Sequence, residues 1–291
     1  MKTKVILFLC AVLIPMIMTA QEGKWFKKGI EAKDPKKKIE YFTKSIEKEG
    51  QSAAAYRKRG NAYLHLNDNK NALADYSKAI EIDPENANDY NNRGLAKLGL
   101  GDVQGCISDE TKSIEIDPMS FGSYYNRGIA KERIKDYKGA VTDYSSVIRI
   151  DSTNAIAYIS LGGAYAMMED YPNAIIYLNK GLKLDPANAY ALDNLGYCYL
   201  ETEKYSAALD NFNRCIAVKP NPYETDAILG MALAYYYTRD YVNAKKYLDK
   251  AKELKPILKQ GVEGFEAFKK EGFVYTEEDN FSLKKMFDEF K

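Results

Sequence analysis

The chain has 291 residues, 46% apolar and 29% charged, a mixture that folds into a packed core and is long enough for two ordinary domains or one repeat array. Its formal net charge of +1 leaves no excess for binding a polyanion, so nucleic acid is not an expected ligand. The odd feature is 24 tyrosines against one tryptophan and one histidine.

The chain opens with a short basic start, Met1-Lys2-Thr3-Lys4, followed by an uncharged apolar run from Val5 to Met18; polarity returns at Gln21. This layout predicts a bacterial secretory signal peptide over 1–20, cut after Ala20, and hence an exported, periplasmic protein. The apolar run of 14 residues falls short of the roughly 20 that span a bilayer, which leaves a retained anchor over 5–18 as the alternative. Met18 is larger than the residue usually found three before such a cut. Cys10 follows the bulky Leu9 with little chain before it, which argues against a lipoprotein cysteine. Loss of Lys2 and Lys4 leaves the mature chain near neutral. Cys106, Cys198 and Cys215 remain, with no metal-knuckle spacing and no C-x-x-C pair, and an odd number does not make a full disulfide framework.

From residue 53 the chain repeats. Pro84, Pro118, Pro186, Pro220 and Pro256 mark its period, with Ser152 in place of a sixth proline; the step is 34 residues up to Pro220 and 36 for the last. Windows begin at Ala53, Ala87, Phe121, Ala155, Ala189 and Thr225. The eighth place reads Gly60, Gly94, Gly128, Gly162, Gly196, Ala232, and the twentieth reads Ala72, Cys106, Ala140, Ala174, Ala208, Ala244. The twenty-seventh is also small in most windows, as at Ala79, Ser113 and Gly181. Small residues let two antiparallel helices approach, and large ones such as Tyr56, Tyr63 and Tyr76, or Leu192, Tyr199 and Phe212, fill the space around the contact. Apolar spacing of i, i+3, i+4, i+7 in each half predicts two amphipathic helices. Turns fall at 67–69, 100–102 and 169–170, and the proline closes the second helix.

This pattern resembles the tetratricopeptide repeat (TPR), a helix–turn–helix of the same length with large, Gly, Tyr, Ala, aromatic, Ala and Pro at these offsets. The resemblance covers 53–86, 87–120, 121–154, 155–188, 189–222 and 225–258. Residues 21–52 resemble a degenerate seventh unit, in which Asp34-Pro35 clips the first helix and Lys38, Phe42 and Ser45 fall at second-helix offsets. The resemblance implies an all-α fold, a right-handed α-solenoid of stacked helix–turn–helix units. Over 259–291 no repeat continues. Phe265 and Phe268, then Leu283, Met286, Phe287 and Phe290 after a break at Gly272, predict a capping helix pair for the last apolar face, or a docking helix.

The windows differ among themselves. The seventh place is Arg59, Arg93 and Arg127, then Leu161, Leu195 and Met231; the twenty-third changes with it, from Asp75, Asp109 and Asp143 to Tyr177, Asn211 and Tyr247. This predicts an Arg–Asp pair joining the two helices of each of those three windows. In the second window Lys97 and Glu110 occupy core offsets, where charges must pair or reach water, so Glu110 is expected to meet Lys97 or Lys131.

Little in the sequence points to catalysis or a cofactor. His65 has no second histidine, cysteine or nucleophile at a useful spacing. Residues 99–105 hold three glycines but lack both the preceding strand and the Lys-Ser/Thr of a phosphate loop. The three cysteines read as packing residues, with a Cys198–Cys215 bridge as the alternative. No enzyme activity, metal, cofactor or nucleic-acid partner is expected.

The resemblance implies that the first helices line a concave groove for a peptide or protein. At the second, fifth, ninth, twelfth and thirteenth places the early windows supply Arg57, Asn61, His65, Asn88, Asn91, Tyr125 and Arg133. The later ones supply Ile156, Ile159, Met167, Tyr190, Tyr197, Tyr236 and Tyr237. The expected groove therefore runs from polar to apolar and aromatic, suited to a ligand polar or acidic at one end and hydrophobic at the other. Arg57, Asn61 and Asn92 resemble part of the clamp with which some family members hold a C-terminal carboxylate, but Gly122 and Asn126 stand where its other cations would be. The expected role is a periplasmic scaffold or adaptor, or alternatively an assembly factor for an outer-membrane or surface-appendage complex.

Overall fold

The computed structural model describes residues 23–270 and 276–290. The signal peptide expected over 1–20 with its cut after Ala20, the alternative anchor over 5–18 and the break at Gly272 lie outside the described residues. Among the described residues every regular element is helical, and no helix is long and apolar enough to cross a membrane. The described residues divide into two compact units, with the boundary between Glu85 and Asn86.

The first unit holds α1 (Lys24–Glu31), α2 (Pro35–Lys48), α3 (Ala53–His65) and α4 (Asn69–Ile82). Helix α1 has only eight residues because Asp34-Pro35 starts the next helix: the Asp34 carboxylate accepts the Lys36 N–H, and Pro35 sits in the first turn, where its missing N–H costs nothing. The second unit begins with five pairs: α5 (Ala87–Gly99) and α6 (Val103–Ile116), α7 (Phe121–Arg133) and α8 (Tyr137–Ile150), α9 (Ala155–Ala166) and α10 (Tyr171–Leu184), α11 (Ala189–Glu201) and α12 (Tyr205–Ala217), α13 (Glu224–Tyr237) and α14 (Tyr241–Leu254). A 3-10 turn at Pro256–Gln260, α15 (Val262–Lys269) and α16 (Glu277–Glu289) follow. Within each unit every pair packs on the next, which makes the fold an all-α TPR solenoid.

One turn joins the helices of each of the six full pairs from α3 to α14. Its fifteenth-place residue takes left-handed backbone each time: Asn67 (φ 57°), Gly101 (85°), Lys135 (61°), Glu169 (60°), Glu203 (57°) and Arg239 (62°). This conformation costs a residue with a Cβ roughly 1–2 kcal/mol. Lys135, Glu169, Glu203 and Arg239 therefore adopt it because the packed helices demand it, not by local preference. The next residue caps the second helix. Asp68, Asp102, Asp136, Asp170 and Asp240 each accept the N–H three residues on, whereas Lys204 supplies no cap. Ser52, Asn86, Asn154 and Asn188 cap first helices in the same way, at about 1 kcal/mol apiece.

Inside each pair, the small eighth residue faces the large twenty-fourth. A Cβ added to Gly60, Gly128, Gly162 or Gly196 would stand 3.0, 2.6, 2.7 or 2.4 Å from Tyr76, Tyr144, Leu178 or Phe212. These four large side chains are fully buried. Each stabilises by about 1.5–3 kcal/mol through removal of apolar surface from water. In the later part of the second unit such contacts fuse into one apolar cluster that runs from Ile159 to Phe287. It takes in Phe265, Phe268, Leu283 and Met286, so the tail covers the last apolar face of the stack.

The earlier windows are held differently. Arg59 donates Nε and Nη2 to Asp75 at 2.8 and 2.7 Å, Arg93 to Asp109 at 2.8 and 2.7 Å, and Arg127 to Asp143 at 3.0 and 2.7 Å. The three aspartates are buried. Arg59 and Arg127 extend their third nitrogen to the preceding second helix, at Thr43 (2.9 Å) and Thr111 (3.0 Å). The guanidinium groups also lie over Tyr56, Tyr90 and Tyr124, one turn earlier on their own helices. Where the seventh place becomes apolar, tyrosines stack instead: Tyr165 on Tyr177 at 5.4 Å and Tyr235 on Tyr247 at 5.4 Å.

Glu110 departs from expectation. Lys97 and Lys131 both lie 2.8 Å from aspartates, Asp109 and Asp143, and neither meets Glu110. At the twenty-fourth place a side chain points across the helix pair towards the eighth, away from the row of cations, and a Cβ on Gly94 would be 2.8 Å from Glu110 Oε1. Asn91 donates to Oε2 at 2.9 Å, with Asn126 and Ser123 as further neutral polar neighbours, while the buried Oε1 has no close partner. Burial pushes the carboxyl up to about 8.

Candidate functional site

Two cavities open among first-helix residues, one in each unit. In the first unit a cavity of about 400 Å³ is lined by Lys33, Lys38, Lys58, Asn61 and His65, with Gly29, Ile30, Pro35 and Phe42 beneath them. Three lysines, with no carboxylate among the described lining residues, make it a basic recess. Asn61 and His65 were expected on this surface. The lysines were not, because Lys33 and Lys38 belong to the clipped unit, whose groove offsets are displaced by its short helix. Two of the clamp-like residues have internal partners: Arg57 pairs with Asp83 at 3.1 Å, and Asn61 accepts the Tyr76 hydroxyl. Asn92, the third, belongs to the second unit.

Among the other expected groove residues, Asn88, Ile156, Met167 and Tyr190 are exposed. Arg133 is exposed too, and its Nη1 donates to the Leu98 carbonyl at 2.9 Å. Tyr125 leans on Tyr144 at 5.6 Å. Two residues are corrected. Ile159 is buried, because Gly181 opens a slot in the facing helix that its Cγ1 fills. Asn91 is turned inward to Glu110 and to Ser123 (3.2 Å), where a buried carboxyl needs its amide more than solvent does. Tyr236 sits between Tyr241 and Phe290. Tyr237 donates its hydroxyl to Asp279 at 2.8 Å and so ties α13 to α16.

The second unit carries a cavity of about 280 Å³. Its walls come from the first helices α9, α11 and α13, which pack side by side, and from the start of α16. Met167, Tyr190 and Tyr197 line it as expected, joined by Tyr171 and Tyr223. So do Glu169, Asp193, Glu201, Asp226 and Asp279, with no lysine, arginine or histidine among the described lining residues. Tyr190 lies against Tyr223 at 5.6 Å, and Tyr197 donates to the Asp226 carbonyl at 3.0 Å. Asp193 sits beside Asp226, and Asp279 beside Glu201. Burial raises both carboxyls, and the like charge opposite raises them further: Asp279 reaches about 8, and Asp193 lies well above the usual range. Asp193 and Asp226 stand at the fifth and second places of their windows, groove offsets already legible in the sequence. Asp279 comes from the non-repeating tail, whose docking only the tertiary structure fixes.

Cys106, Cys198 and Cys215 are buried free thiols, so the alternative Cys198–Cys215 bridge does not form. Burial pushes all three up to about 12, a poor state for a nucleophile. The Cys215 thiol donates to the Ala189 carbonyl within its own pair. The glycines at 99–105 end α5 and start α6, where Asp102 accepts the Gly105 N–H.

Comparison with known proteins agrees with this geometry. The tetratricopeptide-repeat family matches residues 155–188, 189–222 and 225–257, and a TPR-repeat family matches 60–101. The chain is a tetratricopeptide-repeat protein. No curated protein matches it in sequence. A crystal structure of MamA is 28% identical over 55% of this chain and 92% of that one, with a TM-score of 0.52. YrrB, described as a TPR protein with an unusual peptide-binding site, is 23% identical over 67% and 97%, with a TM-score of 0.55. Pseudomonas aeruginosa pilF is 18% identical over 75% and 97%, with a TM-score of 0.62. The last two likenesses speak for the fold alone.

Proposed function

We propose that this chain is a non-enzymatic scaffold that binds a peptide or protein partner along the surface of its first helices. TPR folds serve generally as protein-interaction scaffolds. The observation that carries the reading is the second-unit cavity, walled by three successive first helices and open on the surface they share. Its tyrosines give apolar contact with little side-chain entropy to lose, and its polar tips fix orientation. The basic recess of the first unit adds a place for an acidic or carboxylate group. We also propose that the scaffold works outside the cytoplasm, on the strength of the signal-like layout of residues 1–20.

Photo-crosslinking amino acids placed at Asn88 and Ile156, both exposed, test the scaffold role in cells. A discrete protein partner cross-linked from at least one position is expected. Recovery of no protein from either would sink the reading. Export is checked separately by N-terminal sequencing of the mature protein, expected to begin at Gln21.

A further inference from the structure

The second-unit cavity gathers five carboxyl groups, and no lysine, arginine or histidine among the described residues lines it. Asp193 is 5% exposed, yet its Oδ1 has no hydrogen-bond partner; Asp279 is 2% exposed, and its Oδ2 likewise has none. Both line the cavity. An unsatisfied buried carboxyl oxygen costs free energy that a donor entering the cavity would recover. Each also faces a second carboxyl, Asp193 facing Asp226 and Asp279 facing Glu201; with one carboxyl of each pair raised, a pair holds one proton at neutral pH and keeps one negative charge, so the donor that fits is a positive one. The rings of Tyr190 and Tyr223 stand at the same opening and offer faces to a cation.

We infer that this cavity receives the side chain of a lysine or arginine presented by the partner peptide. A cavity of about 280 Å³ is at the small end of ligand sites and has room for one long side chain. Geometry favours an organic cation over a metal ion. The carboxylates are spread along α11, α13 and α16, and no three acidic, cysteine or histidine groups among the described residues could hold a metal. An ammonium or guanidinium with several N–H donors can reach oxygens on more than one wall, and arginine's planar fork matches two adjacent carboxyls. The inference rests on the scaffold reading and adds the chemistry of the bound group. It also revises the apolar end expected for the ligand: the aromatic walls surround an acidic floor.

The test uses the purified chain at pH 7 and four blocked peptides, acetyl-Ala-Ala-X-Ala-Ala-amide, with X as lysine, arginine, norleucine or glutamate. Calorimetric or NMR titration is expected to show the lysine or the arginine peptide binding at least tenfold more tightly than the norleucine peptide, with the glutamate peptide not bound. Asp193→Asn should weaken the cationic peptides at least tenfold. Glu201→Gln should weaken them too, and Lys138→Ala, exposed on the second helix α8, should leave them unchanged. Thermal melts verify that each variant is folded, and Glu201→Gln carries the test should Asp193→Asn fail to fold. Binding of the norleucine peptide as tight as that of both cationic peptides, or no saturable binding of either cationic peptide at millimolar concentration, overturns the cation site. Cross-links from Asn88 or Ile156 without any cation preference would overturn it alone and leave the scaffold standing. A cation preference without cross-links would do the reverse.

Discussion

Arg127 holds Asp143 through two parallel hydrogen bonds, 3.0 Å from Nε and 2.7 Å from Nη2, while Lys131 meets the same carboxylate at 2.8 Å. Asp143 is 1% exposed, so its removal leaves two cations around a buried void. Breaking one partner of such a pair costs about 3–5 kcal/mol, although the pair itself adds little net stability over an apolar replacement. Urea unfolding of Asp143→Leu, Arg127→Met and the double variant is therefore expected to be strongly non-additive. A coupling of at least ~1 kcal/mol is expected, and losses that simply add would refute the contact.

Glu110 reverses the usual pH dependence of a carboxylate. Burial lifts its carboxyl from 4.5 to about 8, against hydrogen bonds from Asn91, Asn126 and Ser123, with Asp109 adding like charge. Between those values the folded chain binds a proton that the unfolded chain releases. Stability from this group is thus fully present below pH 4.5 and is lost as pH rises to 8, by at most about 1.4 kcal/mol per pH unit. Glu110→Gln imitates the protonated form. The variant's denaturation midpoint at pH 8 should rise relative to that of the parent, with little difference at pH 4.5. A variant as pH-sensitive as its parent would count against the buried neutral acid.

Phe212 is held between two glycines. A Cβ on Gly196 would lie 2.4 Å from its Cε1, and a Cβ on Gly230 would lie 2.4 Å from its Cζ. The ring cannot retreat from one without meeting the other. Gly196→Ala is expected to cost about 1–3 kcal/mol by overpacking. Gly122, also helical, has nothing nearer than Asn91 Nδ2 at 3.8 Å, so Gly122→Ala should be neutral or gain about 0.5–1 kcal/mol. Equilibrium unfolding of both variants distinguishes close helix approach from a general cost of adding a methyl group.

Lys135 has φ 61° in a turn where Asn67 and Gly101 occupy the same place in neighbouring windows. Lys135→Gly removes the left-handed penalty of roughly 1–2 kcal/mol and adds about 0.5–1 kcal/mol of lost chain entropy. A net gain of about half to one kcal/mol in unfolding free energy is expected from that difference. The exposed helical control Lys138→Gly should lose about 1 kcal/mol. Destabilisation by both would show that the turn is not strained.

Much of this protein could be read from its sequence. Period, helix pairing and turns follow from local chemistry that recurs in five of the six windows: a glycine where helices touch, an aspartate before a helix, a proline after one. Repetition raises a weak local signal to a firm one, and comparison between windows brought Arg93 and Asp109 together before any coordinates did. Direction and partnership were decided only in three dimensions. Ile159 and Asn91 stand at groove offsets, yet they point inward, because Gly181 leaves a slot for one and a buried Glu110 calls for the other. The candidate binding pocket needed the fold as well. Asp193, Asp226 and Asp279 are far apart in the chain and ordinary as letters. They become a site only when α11, α13 and α16 dock, exclude water and leave their carboxyls facing one another.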